Sequence, residues 1–299
     1  MKVLLLGANG QVGHELRRAL APLGELVCTT RDGRLADGSA CETADFGAPD
    51  SLAPLVDRIA PDVVVNAAAY TAVDRAESER DTAFRANAEA PAALAAACAQ
   101  RDTLLVHYST DYVFDGTGTR PYREDDPVAP LGVYGESKLA GEQAILASGA
   151  RHMIFRTAWV YADRGSNFML TMLRLARERD ELRVVADQVG TPTPAILIAD
   201  ITAVVLDRPF SASGLWHLTA GGETSWHGFA EAIVEQAHTL GLITRRPQVT
   251  AIASSEYPTP VRRPAYSRLD CGRLQREFGI DLADWRDGLN GVLRSGSGG

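Results

Sequence analysis

The chain has 299 residues, 45% of them hydrophobic and 23% charged, enough for one large domain or two modest ones around a sizeable core. A formal net charge of −8, with Lys and Arg scattered rather than clustered, argues against a nucleic-acid-binding surface, so any anionic ligand is held locally. Cys28, Cys41, Cys98 and Cys271 lie far apart and suggest neither a metal site nor a disulfide framework. The apolar run before Gly7 is too short for a secretory signal, and none approaches the ~20 apolar residues of a membrane span, which predicts a cytoplasmic protein with no membrane partner.

The first predicted strand, 3–6, runs into a glycine loop made of Gly7, Gly10 and Gly13, and the loop opens a helix at 11–20. That context gives the glycines a use: a tight turn, close backbone approach to a pyrophosphate, and free helix N–H groups to bind it. The second strand, 26–30, ends at Thr30 and is followed by Arg31. In a doubly wound sheet this strand end meets the adenosine ribose, where an acid suits NADH and a base suits the 2′-phosphate of NADPH. Arg31 favours NADPH, and Asp32 beside it leaves NADH open.

Further strands at 63–65 and 104–108 alternate with helices at 82–99 and 134–146. The alternation predicts an α/β fold with a doubly wound parallel sheet, and the unbroken apolar runs suit strands buried on both faces. After residue 160 the pattern changes to a polar loop at 163–167, a helix at 168–179 and a proline-interrupted stretch at 190–194. Helices follow at 196–206 and 226–240, Pro258, Pro260 and Pro264 impose extended chain, and the tail 295–299 reads as unstructured. This predicts a dinucleotide-binding domain at 1–160, to which 195–225 returns, and a smaller substrate-binding region over most of 161–299.

Tyr134 and Lys138 stand at i and i+4, one turn apart on one helix face. Reducing a ketone by hydride requires a proton for the developing alkoxide, and a tyrosine of ordinary pKa ~10 becomes a better donor beside an ammonium. A hydroxyl at the end of the preceding strand, Thr110, can orient the carbonyl, since open α/β sheets place ligands at strand C-termini. Arg262 and Arg263 could clamp a diphosphate, although a pair of solvated charges would look the same.

Together the glycine loop and the segments 66–74 (NAAAYTAVD), 108–115 (YSTDYVFD), 134–142 (YGESKLAGE), 155–161 (FRTAWVY) and 262–269 (RRPAYSRL) resemble the extended short-chain dehydrogenase/reductase family, in particular its reductases of nucleotide-linked 4-keto-sugars. The resemblance covers nearly the whole chain. It implies that Gly10, Gln11 and Val12 bind the pyrophosphate, Asp45 and Phe46 the adenine, and Ala67, Ala68 and Ala69 the middle of the cofactor. Tyr134 and Lys138 would meet the nicotinamide end, while Thr110, Asp111 and Trp159 would touch the sugar nucleotide. The implied reaction is reduction of the C4 ketone of dTDP-4-dehydro-L-rhamnose to dTDP-L-rhamnose, with the proton from Tyr134.

Some members of that family dimerise through Mg²⁺ held by C-terminal glutamates, but residues 285–294 contain no Glu, so a monomer or weak homodimer is expected and a need for Mg²⁺ is left open. A dehydratase or epimerase would share the fold, yet a dehydratase needs a glutamate after Asp111, where Tyr112 stands. A reductase of a different keto-sugar, or a non-catalytic dinucleotide-binding regulatory subunit, would also fit these residues.

Overall fold

A computed structural model of the chain describes residues 1–208 and 213–296. Strands β1 (Lys2–Leu6), β2 (Glu25–Thr30), β3 (Glu42–Thr43), β4 (Val63–Asn66), β5 (Leu104–Thr110) and β6 (His152–Thr157) join the strand Gly214–His217 in one seven-stranded sheet. Its order is Gly214–His217, β6, β5, β4, β1, β2, β3, and every neighbouring pair is parallel. From β1 the chain builds outward in one direction, then returns through β4 to build in the other. The crevice at the C-terminal ends of β1 and β4 is therefore the topological switch point, where such sheets bind ligands.

Successive residues of β1 divide between two apolar layers, as a period of two requires. Val3 and Leu5 pack with Leu16 and Leu20 of helix α1 (Gln11–Leu20) and with Ile198 and Val205 of the Ala195–Leu206 helix. Leu4 and Leu6 face the opposite layer, with Leu52 and Val56 of helix α2 (Leu52–Ile59), Leu94 of the Ala90–Arg101 helix and Ile145 of the Val133–Ala147 helix. Leu4 is wholly buried, and truncating it to Ala would cost about 2–5 kcal/mol. A third apolar cluster joins the helices Phe168–Glu178, Trp226–Thr239 and Trp285–Ser295, with Trp285 edge-on to Phe229 at 5.8 Å.

Three features depart from the sequence pattern. β6 and Gly214–His217 are sheet strands with no matching predicted run, because His152, Arg156 and Gly214 interrupt their apolar character. The alanine-rich helix begins at Arg80 and contains a π-helical turn at Arg85–Glu89 before continuing to Arg101. The C-terminal helix extends to Ser295, so the predicted unstructured tail starts later, and 297–299 lie outside the described residues. The four cysteines are free. Among the described residues, no helix is long and apolar enough to cross a membrane.

Candidate active site

The glycine loop is shaped by contacts that leave no room for side chains. Gly7 adopts φ 81°, and a Cβ there would lie 2.8 Å from the Ala68 nitrogen; at Gly13 it would lie 2.0 Å from the Gly7 oxygen. Helix α1 starts from Gly10 with no side-chain cap, so no side chain occupies its first N–H groups. This is a cradle suited to a pyrophosphate, with Gln11 and Val12 in its first turn. The Gln11 Oε1 accepts a 2.8 Å hydrogen bond from Asn167, whose Oδ1 also caps the Phe168–Glu178 helix, tying the loop to the C-terminal part of the chain. Across the crevice, Ala67 and Ala68 follow β4 half-buried and Ala69 is exposed.

At the end of β2, the buried Thr30 hydroxyl donates to Asp32 Oδ1 at 2.9 Å and accepts from the Arg34 N–H at 3.0 Å. Asp32 is thereby turned onto its own loop, and these hydrogen bonds, the Thr30 one foremost, hold its carboxyl below the usual range. Asn9 fastens the same loop through the Arg34 oxygen at 2.9 Å and the Ala36 nitrogen at 3.0 Å. Arg31 and Arg34 stand exposed beside it. Arg34 was not singled out by the sequence, because only the turn brings it back beside Thr30. Asp45 is exposed and accepts from the Gly47 N–H, while the Phe46 ring is buried in the apolar layer with Leu52.

The chemical residues gather at the C-terminal end of β5. Thr110 donates to Asp111 Oδ1 at 3.0 Å and accepts from the Tyr112 N–H at 3.2 Å, and it is among the groups that act on the Tyr134 phenol. Asp111 is 2% exposed; burial pushes its carboxyl up to about 7, against the hydrogen bond from Thr110. Its Oδ2, with Ser109 Oγ and Thr157 Oγ1 at the ends of β5 and β6, is buried without a protein partner, as expected of groups that meet a ligand. Burial also raises the Tyr134 phenol well above its ordinary value.

Lys138 departs from the sequence expectation. Its Nζ donates to the Tyr108 oxygen at 2.7 Å and lies 3.3 Å from His107 Nε2, and burial lowers it to about 8, partly offset by Glu142. Burial, and not the ammonium, therefore dominates the phenol, and Lys138 is not among the groups that act on it. The spacing placed both side chains on one face; it could not reveal that a neighbouring strand would capture the amine.

Trp159 is held with φ 48°, a conformation rare for a bulky residue, and its ring stacks on Trp226 at 3.5 Å with planes 6° apart. Gly190 makes room for that ring, since a Cβ there would come within 2.6 Å of it. Phe168 packs on Trp226 at 4.6 Å and extends the wall. The two arginines separate: Arg262 is exposed, while Arg263 donates to the Tyr112 hydroxyl at 2.9 Å and to Asp74 Oδ2 at 2.7 Å. Asn87, on the π-turn, accepts from the Tyr70 N–H at 2.8 Å and donates to Ser137 Oγ at 3.0 Å, bracing the Tyr134 helix against the 66–74 segment. Sequence reasoning missed Asn87 and Trp226; the only signal was an Asn inside an alanine-rich helix, which belongs there only with a partner.

The family described as "RmlD substrate binding domain" matches residues 1–297. The chain belongs to this family. A dTDP-4-dehydrorhamnose reductase of Burkholderia thailandensis is 51% identical over 96% of each chain. Among solved structures, a dTDP-4-dehydrorhamnose reductase of Clostridium acetobutylicum is 36% identical, with a TM-score of 0.89 over 99% of each chain. That of Bacillus anthracis, in complex with NADP, is 32% identical, with a TM-score of 0.88 over 98% of this chain and 99% of that one. Membership of this family agrees with the short-chain dehydrogenase/reductase resemblance and with the seven-stranded parallel sheet.

Proposed function

We propose that the chain is a cytoplasmic NADPH-dependent reductase that converts the C4 ketone of dTDP-4-dehydro-L-rhamnose to the alcohol, giving dTDP-L-rhamnose. The observation that carries this reading is the placing of Thr110, Tyr134 and Lys138 at one strand end, beside an open pyrophosphate cradle, in a chain so similar to reductases of that name. The nicotinamide supplies the hydride. The protein's part is the proton: Thr110 orients the carbonyl oxygen, Tyr134 gives its phenolic proton to the developing alkoxide, and Lys138 serves the recovery of the phenol.

Arg31 and Arg34 receive the 2′-phosphate in this reading, because Asp32 is engaged by Thr30 and does not face an incoming phosphate. Trp159 and Trp226 wall the sugar nucleotide, and Arg262 remains available to its diphosphate. The enzyme works without a metal-bridged dimer, since the Trp285–Ser295 helix carries no glutamate. Dehydration is disfavoured because Tyr112, with its hydroxyl bonded to Arg263, occupies the place of the required base.

The test is oxidation of NADPH, with NADH in parallel, in the presence of dTDP-4-dehydro-L-rhamnose generated in place. Rapid oxidation with a dTDP-L-rhamnose product is expected. Tight dinucleotide binding with no oxidation would move the assignment to another keto-sugar or to a regulatory subunit.

A further inference from the structure

A second polar chain lies directly behind the catalytic lysine. Asn66 and His107 face each other across β4 and β5, with Asn66 1% and His107 1% exposed. The Asn66 Oδ1 accepts from the Ala68 backbone N–H at 3.1 Å, which fixes the amide: its Nδ2 must donate to His107 Nδ1, 3.0 Å away. Burial, with Lys138 beside it, keeps the imidazole neutral. A neutral ring that accepts at Nδ1 carries its single proton on Nε2, and that N–H is aimed at Lys138 Nζ, 3.3 Å away.

An ammonium has three donors and no acceptor, so it meets the Nε2–H donor against donor; an amine offers a lone pair. The remaining surroundings favour the charged lysine only weakly. Glu142, one turn further along the helix, gives both oxygens to Arg156 of β6 at 2.9 and 2.7 Å. From β5 the lysine receives the Tyr108 carbonyl oxygen, while the Tyr108 phenol is paired with Thr202. Tyr134 shares its helix, and Asp111 lies on the Tyr134 side.

We propose that His107, its tautomer fixed by Asn66, is a positioning residue for proton supply: its Nε2–H stabilises the amine left when Lys138 releases a proton to restore the Tyr134 phenol. In that step the Lys138 N–H bond breaks and the phenol O–H bond forms, with the proton passing to the phenolate. The amine then recovers a proton from solvent. His107 keeps its Nε2 proton throughout, donating it to Lys138 only while the lysine is an amine, and transfers no proton. The inference rests on the reductase reading above, but its first readout needs no substrate.

Lysine labelled with ¹³C at Cε is followed by NMR against pH in the cofactor-free protein, with Lys138→Met assigning the signal. Lys138 is expected to titrate near pH 8, as its surroundings dictate. His107→Phe, which keeps the ring volume but removes the donor, is expected to make Lys138 roughly tenfold less acidic, the effect of one hydrogen bond. His107→Gln, which restores an N–H near the Nε2 position, is expected to keep the wild-type titration. In turnover, the alkaline limb of the kcat profile should move with the lysine while KM for NADPH stays fixed. An unmoved Lys138 in His107→Phe would overturn the proposal. So would a long-range ¹H–¹⁵N spectrum of the wild-type protein showing the proton of His107 on Nδ1, a measurement that stands even if the variants fail to fold.

Discussion

The two ends of the crevice are built on different physical terms. At the end proposed for the adenosine, Arg31 and Arg34 stand exposed on a loop held by Thr30 and Asn9, next to the uncapped start of α1. At the other end, Asp111, Lys138 and His107 are each 2% exposed or less, and the proton affinities of all three are displaced by burial. Gripping a phosphate needs permanent charge and a fitted turn, which water weakens but does not abolish. Holding and moving a proton at neutral pH needs groups whose affinities have been shifted from their values in water, and removing water is the strongest means of doing so.

Substitutions at the two ends should therefore fail differently. The largest effect is expected at the buried end: Tyr134→Phe should lower kcat about a thousandfold, within the range for a lost general acid, while dinucleotide binding measured by fluorescence is retained. Near wild-type turnover would remove Tyr134 as the acid.

Asp111→Asn probes the same end through stability. The folded carboxyl is raised to about 7 from an ordinary value near 3.8, so between those pH values the native state keeps a proton that the unfolded chain has lost. Unfolding free energy then falls as pH rises through that window, by on the order of 4 kcal/mol in total. Urea titrations across the window should show this fall in the wild type and its disappearance in Asp111→Asn; parallel profiles would mean that Asp111 is ionised in the fold.

At the exposed end, Arg31→Ala combined with Arg34→Ala should weaken NADPH binding roughly tenfold and leave NADH unaffected, with a loss that shrinks as salt is added. Equal loss of both cofactors would place the arginines outside the 2′-phosphate site. The smallest effect is expected at the aromatic wall. Trp226→Leu removes a stacking worth about 0.5–1.5 kcal/mol and should raise KM for the sugar nucleotide a few-fold, with dinucleotide affinity unchanged.

What could be read in the sequence follows from what is local. β1, its glycine turn and α1 are contiguous, so the apolar run and glycine spacing reveal them together, as the i, i+4 spacing reveals Tyr134 and Lys138. Asn66 and His107 are 41 residues apart and meet only through the β4–β5 register. Arg263 finds Asp74 across 189 residues, which turns one of two apparent phosphate clamps into a brace for Tyr112. Arg34 and Trp226 were equally hidden, because a folded turn and a stack between distant segments leave no periodic trace.

The backbone at Trp159 bears on how this enzyme's substrate range could be changed. The ring lies flat on Trp226 because the chain beneath it is locked in a left-handed turn and Gly190 yields the space. Trp159 is thus a fixed gauge: it cannot swing aside for a bulkier guest without undoing the turn. Engineering toward larger sugars should begin at Trp226 or Phe168, helical residues in ordinary backbone geometry, and leave the gauge in place.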